Sequence, residues 1–291
     1  WRDGLVTVAP DDDNPHVFTE GGAAPARPAL GDVDPDRLLY VEPHDRPGVR
    51  PLDSFPPWQD ATVRAVRERA PDVSVHAEVF SPFTQLLELL GYEPGLMALL
   101  DEPERVEACL AALTGGTAAL MGILARADAD AILISSAFAG GGLISPAHYR
   151  RFVLPYERGA IAGFRAAFPD VPVYTHTCGA IGDRLELIAE TGTGGIDTLD
   201  PPPLGNVELA DAKRRIGDRL FLKGNIDPVN VVLGGTPAAV RAAAERCLGE
   251  AMAGGGYVLS TACSVAPASP PENILQIRAA AEAASGYART R

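Results

Sequence analysis

From residue 59 onward the chain alternates between two hydrophobic rhythms. Short apolar runs, rich in β-branched residues, are separated by longer stretches in which apolar residues return at helical spacing. This pattern predicts helix over 59–70, strand over 73–80 and helix over 83–91. Ser81-Pro82 reads as an N-cap followed by proline at the first helical position. Residues 93–127 read as helix in two or more pieces, broken near Pro103 and again at Gly115-Gly116. A strand over 131–135 leads into Gly140-Gly141-Gly142, whose glycines are read as a source of loop flexibility. Ser145-Pro146 then opens a helix that runs with interruptions to 168. Strand 171–176, helix 181–191, strand 195–199, helix 207–216 and strand 220–223 follow. Thr236-Pro237 opens a helix to 253, 257–261 is strand, and Ser269-Pro270-Pro271-Glu272 has the spacing of a capping box before a last helix to about 284.

Strands alternating with helices predict a parallel sheet covered by helices. Leu5-Val6-Thr7-Val8-Ala9 is a candidate first strand, and an eighth is sought upstream or within 30–60. The expected fold is therefore α/β, a TIM (β/α)8 barrel filling residues 1–291 as one domain. Residues 10–60, rich in Pro, Gly and Asp, are expected to form an irregular excursion. No Gly-x-Gly-x-x-Gly follows a strand, which argues against a dinucleotide-binding sheet.

Composition narrows the partners. With 25 basic and 38 acidic residues the net charge is −13, which disfavours nucleic acid. No apolar run is expected to reach the roughly 20 residues of a membrane span, so no membrane partner is expected. Four cysteines demand no disulfides and suit a reducing, cytoplasmic setting. Cys109 and Cys247 fall on expected helices and are read as inert.

The other two cysteines change the picture. His176 and Cys178 end the strand that begins near Val171, in His176-Thr177-Cys178-Gly179, and Cys263 ends a later apolar run. Each residue alone also suits a core position, because free cysteine packs as a small hydrophobe. Together, one imidazole and two thiols at strand ends suit zinc, with an open fourth position as catalytic sites require. In a TIM barrel all three fall at the catalytic rim. Glu78, on one face of its strand with His76 and Phe80, is a candidate acid, base or fourth ligand, or else a salt-bridge partner. Asp200 could bind metal or substrate or cap its turn. Asn225 and Asp227 are placed for substrate contact, although Asp-Pro also opens ordinary turns.

The pieces Ser81-Pro82-Phe83-Thr84, Asp130-Ala131-Ile132-Leu133, Ser145-Pro146, His176-Thr177-Cys178-Gly179, Gly224-Asn225-Ile226-Asp227-Pro228, Cys263 and Pro271-Glu272-Asn273-Ile274 resemble the uroporphyrinogen decarboxylase superfamily. Within it they look most like the zinc-containing corrinoid methyltransferase branch. The resemblance implies a TIM barrel, zinc on His176, Cys178 and Cys263, and a corrinoid carried by a separate partner protein. It implies methyl transfer between that corrinoid and a small thiol, folate or methoxylated substrate. A more distant similarity to cobalamin-independent methionine synthase places a carboxylate ligand near Asp200. The decarboxylases resemble the chain less: their Arg-rich substrate segment is not present in residues 1–50, and an Asp common after the third visible strand is replaced by Ser135-Ser136. Decarboxylation of a tetrapyrrole or other acid, and a non-enzymatic barrel with a structural zinc, are the competing readings.

Overall fold

The computed structural model describes residues 27–41 and 51–285. The expected strand at residues 5–9, and His16 and His44, which the irregular 10–60 stretch is expected to leave exposed to solvent, lie outside them. The chain divides into two units. The first takes in residues up to Ser135 and returns for Pro155–Pro172; the second takes in Ser136–Leu154 and everything from Val173 on.

The first unit opens with two 3-10 turns, Leu30–Asp32 and Pro35–Arg37, and a two-residue antiparallel pair, β1 (Tyr40–Val41) with β2 (Pro51–Leu52). Among the described residues, then, the segment 30–60 supplies no long parallel strand. Helix α1 (Ala61–Arg69) is followed by β3 (His76–Phe80), α2 (Pro82–Leu90), α3 (Tyr92–Asp101), α4 (Pro103–Arg126) and β4 (Ala131–Ser135). β3 and β4 are parallel and in register from His76 opposite Ala131 to Phe80 opposite Ser135. β3 starts later than the pattern predicts because Asp130 intervenes. Its carboxylate accepts from Val75 N at 2.7 Å, replacing a ladder bond, and is itself held by Arg67 at 2.6 Å.

Ser81 caps α2 as expected, its hydroxyl accepting from Thr84 N at 3.1 Å, with Pro82 at the first helical position. Every residue of α2 is buried, Gln85 included. The Gln85 amide satisfies three elements at once. Its Nε2 donates to Phe80 O at 2.7 Å and to Thr117 Oγ1 at 2.8 Å, and its Oε1 accepts from Val41 N at 2.9 Å.

α4 differs from expectation in two ways. It runs unbroken through Gly115-Gly116, and Gly116 serves packing and not termination: a Cβ there would lie 1.6 Å from Leu39 O. It is also long and apolar enough, by length and composition, to cross a membrane, contrary to the expectation. Val106, Cys109, Leu110, Leu113, Leu120 and Met121 are among its buried residues, and it packs on α2, α3, β1, β3 and β4, as a core helix does. The first unit closes with most of α6 (Leu154–Ala167), which follows α5 (Pro146–Phe152) of the second unit.

The second unit carries β5 (Val173–His176), α7 (Leu185–Ala189), β6 (Gly195–Thr198), α8 (Leu209–Ile216), β7 (Phe221–Ile226), a π-helical turn at Pro228–Leu233, α9 (Pro237–Ala251), β8 (Tyr257–Thr261) and α10 (Pro271–Ser285). β5 through β8 lie in chain order, each parallel to the next. β7 extends past the expected 223, because Gly224, Asn225 and Ile226 keep register with Leu259, Ser260 and Thr261. Gly195 is required where it stands: a Cβ there would meet the Phe221 ring at 2.4 Å, and that ring packs on Tyr174. The capping box ahead of α10 does not form. Helix begins one residue late for it, at Pro271, and the buried Ser269 hydroxyl has no hydrogen-bond partner.

Candidate metal centre

His176 is the last residue of β5, and three residues on the chain turns at Gly179, whose φ of +78° a side chain would strain. Three groups pin this turn. Ser136 N donates to His176 O at 2.7 Å, the Thr198 hydroxyl donates to Thr177 O at 2.7 Å, and Gly179 N donates to Asp200 Oδ2 at 2.6 Å. Cys263 lies two residues beyond the end of β8. The Thr261 hydroxyl fixes it by donating to Cys263 O at 2.7 Å, and Ala262 N is tied to Ile226 O at 2.7 Å.

These constraints bring His176, Cys178 and Cys263 together, with one ligand atom from each all within 4.8 Å of one another. His176 Nε2 is 3.1 Å from Cys178 Sγ, and the two sulfurs are 3.9 Å apart. All three residues are half-buried. One imidazole nitrogen and two sulfurs match the donor preference of zinc, and three protein ligands leave the fourth tetrahedral position for exchange. The side chains expected to bind metal therefore fit one.

The electrostatics tie the three groups to one another. The Cys263 thiol is held well below the usual range, chiefly by its hydrogen bond with Cys178 and next by His176. Cys178 is pushed up by its hydrogen bond to Cys263 and by burial. Burial works against a charge on His176, but Asp197 and Cys263 outweigh it and push its pKa up to about 9. Burial also raises Asp200, against the lowering effect of Gly179 N.

The other expected site residues fall elsewhere. Asp200 stands outside the cluster, committed through Oδ2 to the Gly179 backbone. Asp227 caps the π-helical turn: Oδ1 accepts from Val229 N and Asn230 N, both at 2.8 Å, and Oδ2 accepts from Asn230 Nδ2 at 2.7 Å. Asn225 lies inside β7, buried, its Nδ2 donating to Leu199 O at 3.0 Å and Val207 O at 3.3 Å. Glu78 belongs to the first unit, exposed on β3 on the same strand face as the exposed His76. Gly140 and Gly141 answer to close approach and not to flexibility: Cβ atoms there would lie 2.3 Å from Cys178 O and 2.8 Å from Ala180 O. The buried Arg184 holds the same loop, donating to Ala139 O and Ile144 O.

Two neighbours of the cluster were missed. Asp197 Oδ2 is 3.5 Å from His176 Nδ1 and accepts from Lys223 Nζ at 2.8 Å. The signal was a carboxylate and an ammonium, each placed in an otherwise apolar strand, Gly195-Ile196-Asp197-Thr198 and Phe221-Leu222-Lys223.

Relatives place this architecture. A uroporphyrinogen decarboxylase from Chlorobium phaeovibrioides is 29% identical over 256 residues, covering 85% of this chain and 68% of its own. One from Pelodictyon phaeoclathratiforme is 28% identical over 270 residues, covering 90% and 72%. A methyltransferase from Methanosarcina mazei has the same fold, with a TM-score of 0.69 at 24% identity over 80% of this chain; the chain spans 65% of that protein's length. The uroporphyrinogen decarboxylase (URO-D) family model matches residues 27–284, so the chain belongs to that family, and its alternating strands and helices are those of the family's TIM barrel.

Proposed function

We propose that the protein is a zinc-dependent methyltransferase that moves a methyl group between a corrinoid on a separate protein and a small thiol, folate or methoxylated substrate. One observation carries this reading: His176 Nε2, Cys178 Sγ and Cys263 Sγ converge within 4.8 Å. These atoms would hold the zinc, which when bound supplies Lewis acidity to keep an incoming thiol deprotonated or to polarise a methoxy oxygen. Two cysteinates would offset the ion's double positive charge, so electron density stays on the fourth donor. The pinned backbone of Thr177 and Gly179 would hold Cys178 in place as that donor exchanges. Asp200 serves the reading as a positioning carboxylate for the turn, raised in pKa and close to the negative Cys263. Glu78, exposed on β3, is kept as an acid or base for the substrate, with Asn225 and Asp227 as secondary contacts; unchanged turnover in Glu78→Gln would remove Glu78.

The relatives' names favour a second reading, decarboxylation of a porphyrinogen. The two separate on purified protein. Metal analysis is expected to give about one zinc per chain, and methylcob(III)alamin with a thiol acceptor is expected to lose its methyl group, seen in the cobalamin spectrum. No zinc, together with turnover of uroporphyrinogen III, would replace methyl transfer with decarboxylation.

A further inference from the structure

Three residues of adjacent strands stand at one level of the sheet. His176 of β5 is the register partner of Asp197 of β6, and Asp197 is the register partner of Lys223 of β7. Register partners in neighbouring strands project from the same face. The row therefore presents an imidazole, a carboxylate and an ammonium side by side, at the strand end that carries the metal cluster.

The middle carboxylate is immobilised. Asp197 Oδ1 accepts from Thr198 N at 2.9 Å, and Oδ2 accepts from Lys223 Nζ at 2.8 Å. Lys223 reaches past the Tyr174 ring, its Nζ 5.9 Å from the centroid. The Asp197 side chain is 8% exposed and that of Lys223 28% exposed, so the pair is only partly screened. What remains of Oδ2 faces His176 Nδ1 at 3.5 Å, while Nε2 of the same ring faces Cys178 Sγ at 3.1 Å. A neutral imidazole offers one N–H and one lone pair. A carboxylate accepts only, so beside it Nδ1 carries the hydrogen and Nε2 is left with the lone pair that a metal needs.

We infer that Asp197, anchored by Lys223, is the positioning residue that fixes the tautomer and ring orientation of His176 for metal binding. The inference rests on the zinc reading. Carboxylates that orient ligating histidines in this way typically account for about 10–100-fold in metal affinity. Lys223 would serve a separate purpose: its ammonium, 2.8 Å from Oδ2, offsets the charge of Asp197 and holds the carboxylate in place.

The test reads His176 directly. In 15N-labelled metal-free protein, held above the titration of His176, long-range proton–nitrogen correlation should show the Nδ1–H form in the wild type. Asp197→Leu combined with Lys223→Met removes both charges together and leaves no lysine unpaired. It should shift His176 toward the Nε2–H form and weaken zinc binding about 10–100-fold in chelator competition, with an unchanged circular dichroism spectrum. Lys223→Met alone should keep the Nδ1–H form and lose less than the double variant. If the double variant fails to fold, Asp197→Asn is read by the same two measurements, with the amide expected to give a smaller change in the same direction. An unchanged tautomer with zinc affinity within about twofold of wild type would overturn the inference. A wild type that binds no zinc but keeps the Nδ1–H form would instead sink the metal reading and leave the positioning by Asp197 standing.

Discussion

Gln85 in the first unit and the His176–Asp197–Lys223 row in the second are both polar groups set among apolar residues, and they are treated in opposite ways. Gln85 is wholly buried, and both ends of its amide meet partners from β1, β3 and α4. Such a network gains its value by leaving nothing unsatisfied. The row in the second unit is half-open, ionisable, and ends at two thiols aimed at each other. Burial with complete pairing marks a structural group. Partial burial, with ligand atoms converging on a common point, marks one kept ready for something the chain itself does not supply.

The largest test of that contrast is Cys263→Ala. It should lower zinc affinity and methyl transfer by at least about 100-fold while leaving far-UV circular dichroism and melting temperature near wild type, since the core does not depend on the cluster. A variant that unfolds would move the cluster to the structural side. Gln85→Ala is the mirror experiment. It removes the side-chain partner of Val41 N, Phe80 O and Thr117 Oγ1 and should cost about 2–4 kcal/mol of stability in denaturant unfolding. Its zinc affinity should stay within about twofold of wild type; a large loss of zinc would erase the distinction.

Acidity gives the next effect. Metal binding needs neutral His176 and ionised Cys178, and both groups hold their protons more tightly than usual, His176 up to about 9. Protons therefore compete with metal throughout the neutral range, and zinc affinity should rise with pH, on the order of tenfold or more per unit between about pH 6 and 8. A flat profile in chelator competition would mean that these groups are not the ligands. The smallest effect is expected at Asp227→Ala, which removes a cap and should cost about 1 kcal/mol. It should leave zinc untouched; an unchanged KM would remove Asp227 from the substrate contacts.

Much of this was written locally in the chain. The strand and helix order follows from hydrophobic period, and Ser81-Pro82 announces α2 because a cap depends only on its own turn. His176, Cys178 and Cys263 could be picked out because thiols at the ends of two apolar strands are a chemical oddity visible in one dimension. What escaped depends on neighbours distant in sequence. Gly115-Gly116 reads as a break until Leu39 O is found against Gly116. Asp197 and Lys223 read as isolated charges until register sets them side by side.

The composition of α4 has a consequence for biosynthesis. As it leaves the ribosome, this segment is long and apolar enough, by length and composition, to cross a membrane. Of the elements it packs on, β1, β3, α2 and α3 precede it in the chain, while β4 and α6 follow. Domains assemble from the N-terminal side during synthesis, so most of its docking surface has already emerged when α4 appears. Chain order thus lets a segment with a lipid-like composition meet protein first.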